Sequence, residues 1–514
     1  MNNRFIIAIT SYNNEKWVSQ NIDSVLTQTH QNFRVAYYDA CSTDKTLELA
    51  KEYAAKDSRI TVTTTPERQI KTWFCERLSE FEDIRDNDIV CVLDGDDFLA
   101  SEEVLNYLNE VYNKTNCWMT YGGMIVWDGT DTKEPFPQNT EAPLEVKRDK
   151  SYRKDLWRYS HFRTFRGFLW KRIKKESWKS VHDNNYITLE DLITMYDCME
   201  MCPADKVFRI DQTVYILNYS TANGGSRGWE ENKINGIGQI YESEIRNRPS
   251  YPELPIVTPV LAGGLGNQMF EIAAAASLAK DNNALVVINP SEHILPNQGR
   301  NVKTYLDNVF SRIATDNTPP FKTAVNNEHI YYTPITYKPN LKIGGHNQSF
   351  KYFDHNREYI QNLFGPTDEV LKHIDTKYGL EKTSKVTIVQ VRRGDYIRFP
   401  DHLPLMPIEY YLTAAKQAAP EEVWVCSDDI NWCKENLPFN CPVQYLKDED
   451  YIRMYLMSLC KNVIISNSSF GWWGCYLNKN PDKKVYVPSV WFGKALIDDG
   501  FKMDDLILPD WIKI

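Results

Sequence analysis

Two trains of alternating apolar and amphipathic segments run along the chain, one in each half. In the first, Phe5–Ile9, Phe33–Tyr38, Ile60–Thr64 and Ile89–Leu93 are short apolar runs that predict strands. Between them, Glu15–Leu26, Thr43–Ala55 and Ile70–Phe81 carry apolar residues at helical spacing and predict amphipathic helices. Such alternation predicts a mostly parallel sheet with helices on both faces. The second train starts near Val257. Its strands are expected at Ile256–Leu261, Ala284–Ile288, Val386–Val391, Glu422–Cys426 and Val463–Ile465, and its helices include Gln268–Ala279, Pro407–Ala418 and Asp450–Cys460. Between the trains, Arg246–Pro255 is polar and holds Pro249, Pro252 and Pro255, which cannot sit inside a regular element. The domain boundary is therefore expected here, with one domain over 1–248 and a second over 249–514.

Ligands of open parallel sheets collect beyond the carboxyl ends of the strands. Three polar segments of the first half fall there. Thr10–Glu15 follows the first strand. Asp39 follows the second and leads to Ser42-Thr43-Asp44, which can also cap the next helix. Asp94-Gly95-Asp96-Asp97 follows the fourth. Carboxylates crowded at a strand end repel one another unless a cation joins them, and hard oxygen donors suit Mg²⁺ or Mn²⁺. Asp94, Asp96 and Asp97 are thus the expected metal ligands. The same string is also a common solvated turn, so the order of the three segments carries more weight than any one.

The second half has its own candidates. Leu261–Phe270, with Gly263, Gly264 and Gly266, joins a strand to a helix, where glycines let a ligand approach and the helix N-terminus attracts anions. Val386–Val391 runs into Arg392-Arg393-Gly394-Asp395, and adjacent guanidiniums at a strand end match diphosphate geometry. Hydroxyls and amides of Ser466–Ser469 start another helix and can cradle phosphate. Trp472 and Trp473 read as packing rather than sugar stacking. The embedded Arg-Gly-Asp is common by chance, and an adhesion role is set aside.

The run from Ala8 to Ala50 with "DNDIVCVLDGDDFL" resembles family 2 glycosyltransferases of the GT-A fold, and "SHFRTFRGFLW" and "ITLEDLITMYDCME" extend the likeness. The resemblance implies that Tyr12, Glu15 and Asp39 hold the nucleotide, and that Asp94 and Asp96 are the acids of the family's DxD motif. It implies a base within Glu190-Asp191, assigned here to Asp191, which takes the acceptor proton in an inverting transfer. Both acids would also favour the positive end of a helix starting there. His161, Arg163 and Arg166 would line the acceptor or diphosphate side. The family's Asp-Asp-Gly-Ser-Thr-Asp string reads Asp39-Ala40-Cys41-Ser42-Thr43-Asp44, a departure that bears on base or sugar preference.

"GGLGNQMF", "VRRGDY", "CSDDINW" and "LMSLCKNVIISNSSFGWWG" together resemble the family 11 fucosyltransferases, whose usual linkage is α-1,2 and whose donor is GDP-fucose. The resemblance implies a GT-B-like fold that needs no metal, with Arg392 and Arg393 on the GDP diphosphate. Gly264, Asn267, Gln268, Ser468, Ser469 and Phe470 would approach donor or nucleotide, and Asp395 would be a structural carboxylate or a base. A histidine common two positions before the arginine pair is Gln390 here, which can hydrogen-bond but cannot titrate.

Composition narrows the picture. A chain of 514 residues is long enough for two to four domains, and 42% hydrophobic with 25% charged residues is globular. A net charge of −10 argues against nucleic acid as a partner, since that affinity comes mainly from neutralising phosphates. Eleven cysteines without a CxxC pair indicate neither a disulfide framework nor a zinc site and fit a reducing, cytoplasmic setting. The apolar start Phe5–Ile9 is broken by Thr10, Ser11 and Tyr12 and reads as a strand rather than a signal peptide. No run approaches the roughly 20 apolar residues of a membrane span, so contact with a lipid-linked acceptor would be peripheral. The expectation is a bifunctional glycosyltransferase using two nucleotide-sugar donors, a UDP-sugar and GDP-fucose, on a glycan acceptor. Its alternative is an α-1,2-fucosyltransferase whose N-terminal half is a non-catalytic binding module.

Overall fold

The structure is a computed structural model that describes residues 2–130, 133–135, 139–220, 236–294, 300–327 and 331–514. Contacts divide the chain into two compact units, Met1–Leu254 and Pro255–Ile514. The segment after Arg248 stays with the first unit because its backbone is tied there. Tyr251 N–H donates to the Glu200 carboxylate at 2.9 Å, and Leu254 N–H to the Met201 carbonyl at 3.0 Å.

In the first unit the strands are β1 (Phe5–Ser11), β2 (Phe33–Asp39), β3 (Ile60–Thr64), β4 (Ile89–Asp94), β5 (Phe98–Leu99), β6 (Met119–Trp127), β7 (Lys133–Pro135), β8 (Arg163–Arg166) and β9 (Val207–Asn218). They form one sheet in the order β3-β2-β1-β4-β8-β6-β9-β5, with β7 on β6. The helices Val18–Leu26, Thr46–Lys56 and Lys71–Phe81 join β1 to β4 in sequence, and these four strands are parallel. Phe5, Ile7 and Ile9 share a core with Val18, Ile22 and Val25, while Ile6 and Ala8 are buried on the other face. Burial on both faces is why these strands read as unbroken apolar runs. Each such side chain contributes about 2 kcal/mol. The expected parallel sheet is only half the story, because β8 runs antiparallel to both β4 and β6. The strand order turns back at β1, with β2 and β3 to one side and β4 to the other, which makes the carboxyl ends of β1 and β4 a switch point.

The second unit has two parallel sheets. The first comprises β10 (Ile256–Pro259), β12 (Leu285–Ile288), β14 (Ala314–Thr315), β15 (Thr323–Asn326) and β16 (Leu341–Gly344), in the order β14-β12-β10-β16-β15. Two short strands, β11 (Leu261–Ala262) and β13 (His293–Ile294), pair beside it. The second comprises β17 (Thr387–Val391), β18 (Val423–Ser427), β19 (Val443–Tyr445), β20 (Asn462–Ile465), β21 (Lys484–Val487) and β22 (Ile512–Lys513), in the order β19-β18-β17-β20-β21-β22. This pair of sheets is the GT-B-like arrangement expected. Each has its own switch point, at β10 and at β17. Trp472 and Trp473 are fully buried against Phe270 and Phe353 and serve as packing. Among the described residues no helix is long and apolar enough to cross a membrane.

Candidate functional site

Asp94 ends β4 beside the end of β1, at the first unit's switch point. The turn that follows is tight. A Cβ on Gly95 would stand 2.6 Å from the Ser11 side chain, so only glycine brings this turn so close to β1. The Asp94 carboxylate accepts from Lys71 Nζ at 2.5 Å, and Lys71 also lies 3.1 Å from Glu190. Arg163, 1% exposed, faces Glu190 at 3.4 Å and donates to His161 Nε2 at 3.1 Å. His161 Nε2 is in turn 3.6 Å from Asp94, and its ring stacks on Tyr215. Burial and then the Arg163 charge hold His161 well below the usual imidazole range, so the neutral ring accepts the guanidinium N–H. Burial opposes ionisation of Asp94, but Lys71 and Arg163 outweigh it and hold the carboxyl below its ordinary range.

The three acids of the turn differ. Asp97 is 2% exposed, accepts from the Tyr215 hydroxyl at 2.5 Å and from the Asn218 N–H at 2.8 Å, and so fastens β9 to the turn. With both oxygens committed to the fold, Asp97 leaves the expected metal set. Asp96 is half-buried, and its carboxylate has its own backbone N–H as a hydrogen-bond donor and no ion pair among the described residues. Burial and then the Asp94 charge push it up to about 6. A cation would relieve that uncompensated acid, and the donors Asp94 and Asp96 are hard oxygens suited to Mg²⁺ or Mn²⁺. Among the described residues no group of three or more acidic, His or Cys side chains is gathered for a metal. Two protein carboxylates fit an ion whose other ligands come from substrate phosphate and water.

Glu190 and Asp191 begin the helix Glu190–Met201, which the buried pairs of Arg153 with Asp197 and Glu200 anchor from behind. Glu190 is 3% exposed and committed to Lys71 and Arg163. Asp191 is half-buried and makes no ion pair among the described residues, and burial raises it against the pull of Arg163. The helix start thus separates a structural acid from an available one. Arg166 does not join this cluster. It pairs opposite Ile89 at the far end of β8, donates to Asn3 and Asn87, and lies over Tyr112.

The nucleotide candidates sit one loop away. Glu15 accepts from Lys45 N–H at 3.0 Å while Asp44 accepts from Glu15 N–H at 3.1 Å, a reciprocal clasp between the loops after β1 and β2. The guanidinium of Arg68 lies 3.8 Å above the Tyr12 ring. Asp39 is fully buried, accepts from Ser42 N–H and the Thr64 hydroxyl, and leaves Oδ1 without a partner among the described residues. Cys41 adopts φ +62, the left-handed backbone that the family string gives to glycine.

In the second unit a cleft of about 700 Å³ opens beyond the ends of β10, β16, β17 and β20. Gly264, Asn267, Ser468, Ser469, Phe470, Arg392 and Asp395 line it. Ser469 donates to Asn267 at 2.9 Å, and a Cβ on Gly266 would meet the Phe470 nitrogen at 2.5 Å, so the glycine loop rests directly on a helix N-terminus. Arg392 bridges Asp395 at 2.5 Å and Asp428 at 2.9 Å. Two sequence expectations change here, and Asp395 takes the structural one of its two expected roles. Arg393 does not line the cleft, because its guanidinium pairs with Asp429 at 3.1 Å and stacks on Trp432 at 3.9 Å. Gln268 is fully buried and donates to the Gly263 and Arg300 carbonyls, so it holds the loop rather than meeting a donor. Asp395 serves Arg392 as a counter-charge. Gln390 keeps a hydrogen-bonding role, accepting from Ser466 N–H at 3.1 Å.

The model of Glycosyl transferase family 11 matches residues 237–514, more than half of the chain. The chain belongs to glycosyl transferase family 11. The model of Glycosyl transferase family 2 matches residues 6–174 of this family 11 protein, so both halves carry glycosyltransferase sequence and the chain is a glycosyltransferase. Over 306 residues it is 29% identical to an O-antigen biosynthesis glycosyltransferase, WbnK, of Escherichia coli, covering 49% of this chain and 99% of the relative. An alpha-1,2-colitosyltransferase of the same organism is 28% identical over 46% of this chain and 93% of the relative. A galactoside 2-alpha-L-fucosyltransferase of Caenorhabditis elegans is 26% identical over 51% and 80%. Among solved structures, S. aureus TarS 1–349 with UDP-GlcNAc overlays 47% of this chain and 70% of its own at a TM-score of 0.33 and 18% identity. The NodZ alpha-1,6-fucosyltransferase soaked with GDP-fucose overlays 44% and 93% at a TM-score of 0.33 and 14% identity.

Sequence reasoning about this family 11 chain missed Lys71, the cation between Asp94 and Glu190. One signal was present: a lysine opens the helix Lys71–Phe81 with no acid in the first turn, against the helix dipole. A residue that breaks a local rule is where function is expected. Arg300, His346 and Arg453 also line the cleft and stand outside every recognisable motif.

Proposed function

We propose that the chain is a bifunctional glycosyltransferase with one transfer site in each unit. The observation that carries the reading is the placement of Asp94 with Asp96, and of Arg392, at the switch points of separate sheets. In the N-terminal unit, Met1–Leu254, a hexose or N-acetylhexosamine leaves a UDP donor with inversion. Asp94 and Asp96 would hold Mg²⁺ or Mn²⁺, which when bound offsets the charge growing on the diphosphate. Tyr12 and Glu15 flank the nucleotide, and Asp39 fixes the loop beneath it. Asp191 takes the acceptor hydroxyl proton as the new C–O bond forms and the bond to the diphosphate breaks. In the C-terminal unit Arg392 binds the diphosphate of GDP-fucose by exchanging part of its pairing with Asp395 and Asp428, and the Ser468–Phe470 helix start adds backbone donors. No metal is needed there, and the product is an α-1,2-linked fucoside. The relatives named for colitose and fucose transfer support this donor class.

Single substitutions test the division. Asp191→Ala is expected to remove UDP-sugar turnover by ~10²-fold or more while leaving fucose transfer intact, and Arg392→Ala the reverse. A second reading is favoured by one observation: Lys71 already neutralises Asp94. Under it the N-terminal unit binds a sugar nucleotide without transferring, and Asp191→Ala changes no measurable activity while sugar binding persists.

A further inference from the structure

Transfer to a hydroxyl requires an acceptor for its proton. In the C-terminal cleft most titratable groups are already engaged. Asp395 and Asp428 both pair with Arg392, Asp450 accepts from the Tyr305 hydroxyl at 2.6 Å, and Gln390 cannot titrate. His346 is different. It follows β16, whose pairing with β10 brings it to the switch point, and its side chain is 56% exposed at the cleft wall.

Behind the imidazole stands Glu271, 1% exposed, in the helix Leu265–Asp281. One carboxylate oxygen accepts from His346 Nδ1 at 2.9 Å and the other from the Ala262 N–H at 2.9 Å. Glu271 interrupts the otherwise apolar stretch Met269–Ala276, a costly residue to bury unless the charge has a use. With Nδ1 committed to Glu271, the tautomer is fixed and Nε2 presents its lone pair to the cleft.

We propose that His346, oriented by Glu271, is the base that deprotonates the acceptor hydroxyl in the C-terminal transfer. This rests on the reading of the cleft as a fucosyl-transfer site and supplies a proton acceptor for it. As the acceptor oxygen bonds to the anomeric carbon, the bond from that carbon to the diphosphate breaks and GDP leaves with the electron pair. The proton passes to His346 Nε2 and then to solvent. The Glu271 hydrogen bond raises His346 above the usual imidazole range, and burial pushes Glu271 up to about 7, so the two groups titrate together. Among the described residues Glu271 is the charged group acting on His346.

The test measures GDP release from GDP-fucose with lactose or water as acceptor, across roughly pH 5 to 9, beside thermal stabilisation by GDP alone. His346→Asn keeps a donor toward Glu271 but removes Nε2. It is expected to lower kcat ~10²-fold and abolish the acidic limb, with the stabilisation by GDP unchanged. Glu271→Gln removes the charge that raises His346, so the acidic limb moves to lower pH. Wild-type kcat and an intact acidic limb in His346→Asn overturn the base assignment while leaving the transfer reading standing. If His346→Asn does not fold, an unmoved limb in Glu271→Gln overturns the assignment equally. If the wild-type chain releases no GDP under any condition, the transfer reading itself falls, and the base with it.

Discussion

At the end of β4 the N-terminal unit gathers acids, and the cations around them come from elsewhere: Lys71 from a helix start and Arg163 from the antiparallel strand β8. At the end of β17 the C-terminal unit gathers arginines, and the counter-charges come from the loop itself and from the end of β18. Both units neutralise most of their switch-point charge internally, as burial demands. What differs is the group left uncommitted. In the first unit it is a carboxylate, Asp96, and the helix start adds the available Asp191. In the second it is the imidazole Nε2 of His346, in the cleft that Arg392 also lines. One switch-point geometry thus serves two electrostatic solutions, and the residue at the strand end selects between them.

That comparison breaks most visibly at Lys71. Lys71→Met leaves Asp94 and Glu190 with one compensating cation fewer, and UDP-sugar turnover is expected to fall ~10²-fold. Removing one partner of a buried pair costs about 3–5 kcal/mol, and partial exposure of Asp94 and Lys71 reduces this to about 2 kcal/mol in chemical denaturation of the N-terminal unit. The comparison is sharpened by Arg393→Ala set beside Arg392→Ala. Because Arg393 stacks on Trp432 outside the cleft, its loss is expected to lower fucose transfer by less than about 10-fold, well short of the Arg392 effect. Equal losses would return Arg393 to the diphosphate. The smallest effect is in pH. Asp191 must be ionised to act as a base, and burial raises it, so N-terminal turnover is lost as pH falls through a value above the ordinary aspartate value of about 3.9. A limb at or below that value contradicts the assignment.

The parallel strands at both switch points were legible because each is buried on two faces and reads as a continuous apolar run. β8 was not legible. Its Arg163-Thr164-Phe165-Arg166 looks like a polar loop, and tertiary partners such as Glu190, Tyr112 and Asn3 make such a strand tolerable inside the sheet. The site residues followed the same pattern. Motifs located Asp94, Asp191 and Arg392, which stand at strand or helix ends. They could not separate Asp96 from Asp97 or Arg392 from Arg393, because neighbours in sequence face opposite ways and only tertiary partners decide which one is spent on the fold. His346 was illegible for another reason: its meaning depends on Glu271, far away in the chain.

The account rests on two different ways of meeting a diphosphate, and divalent-ion removal tests it most directly. UDP release from a UDP-sugar and GDP release from GDP-fucose would be followed on one preparation, before and after EDTA, with Mn²⁺ added back. The expected result is loss and recovery of the first activity with no change in the second. Loss of both, or indifference of both, would contradict it.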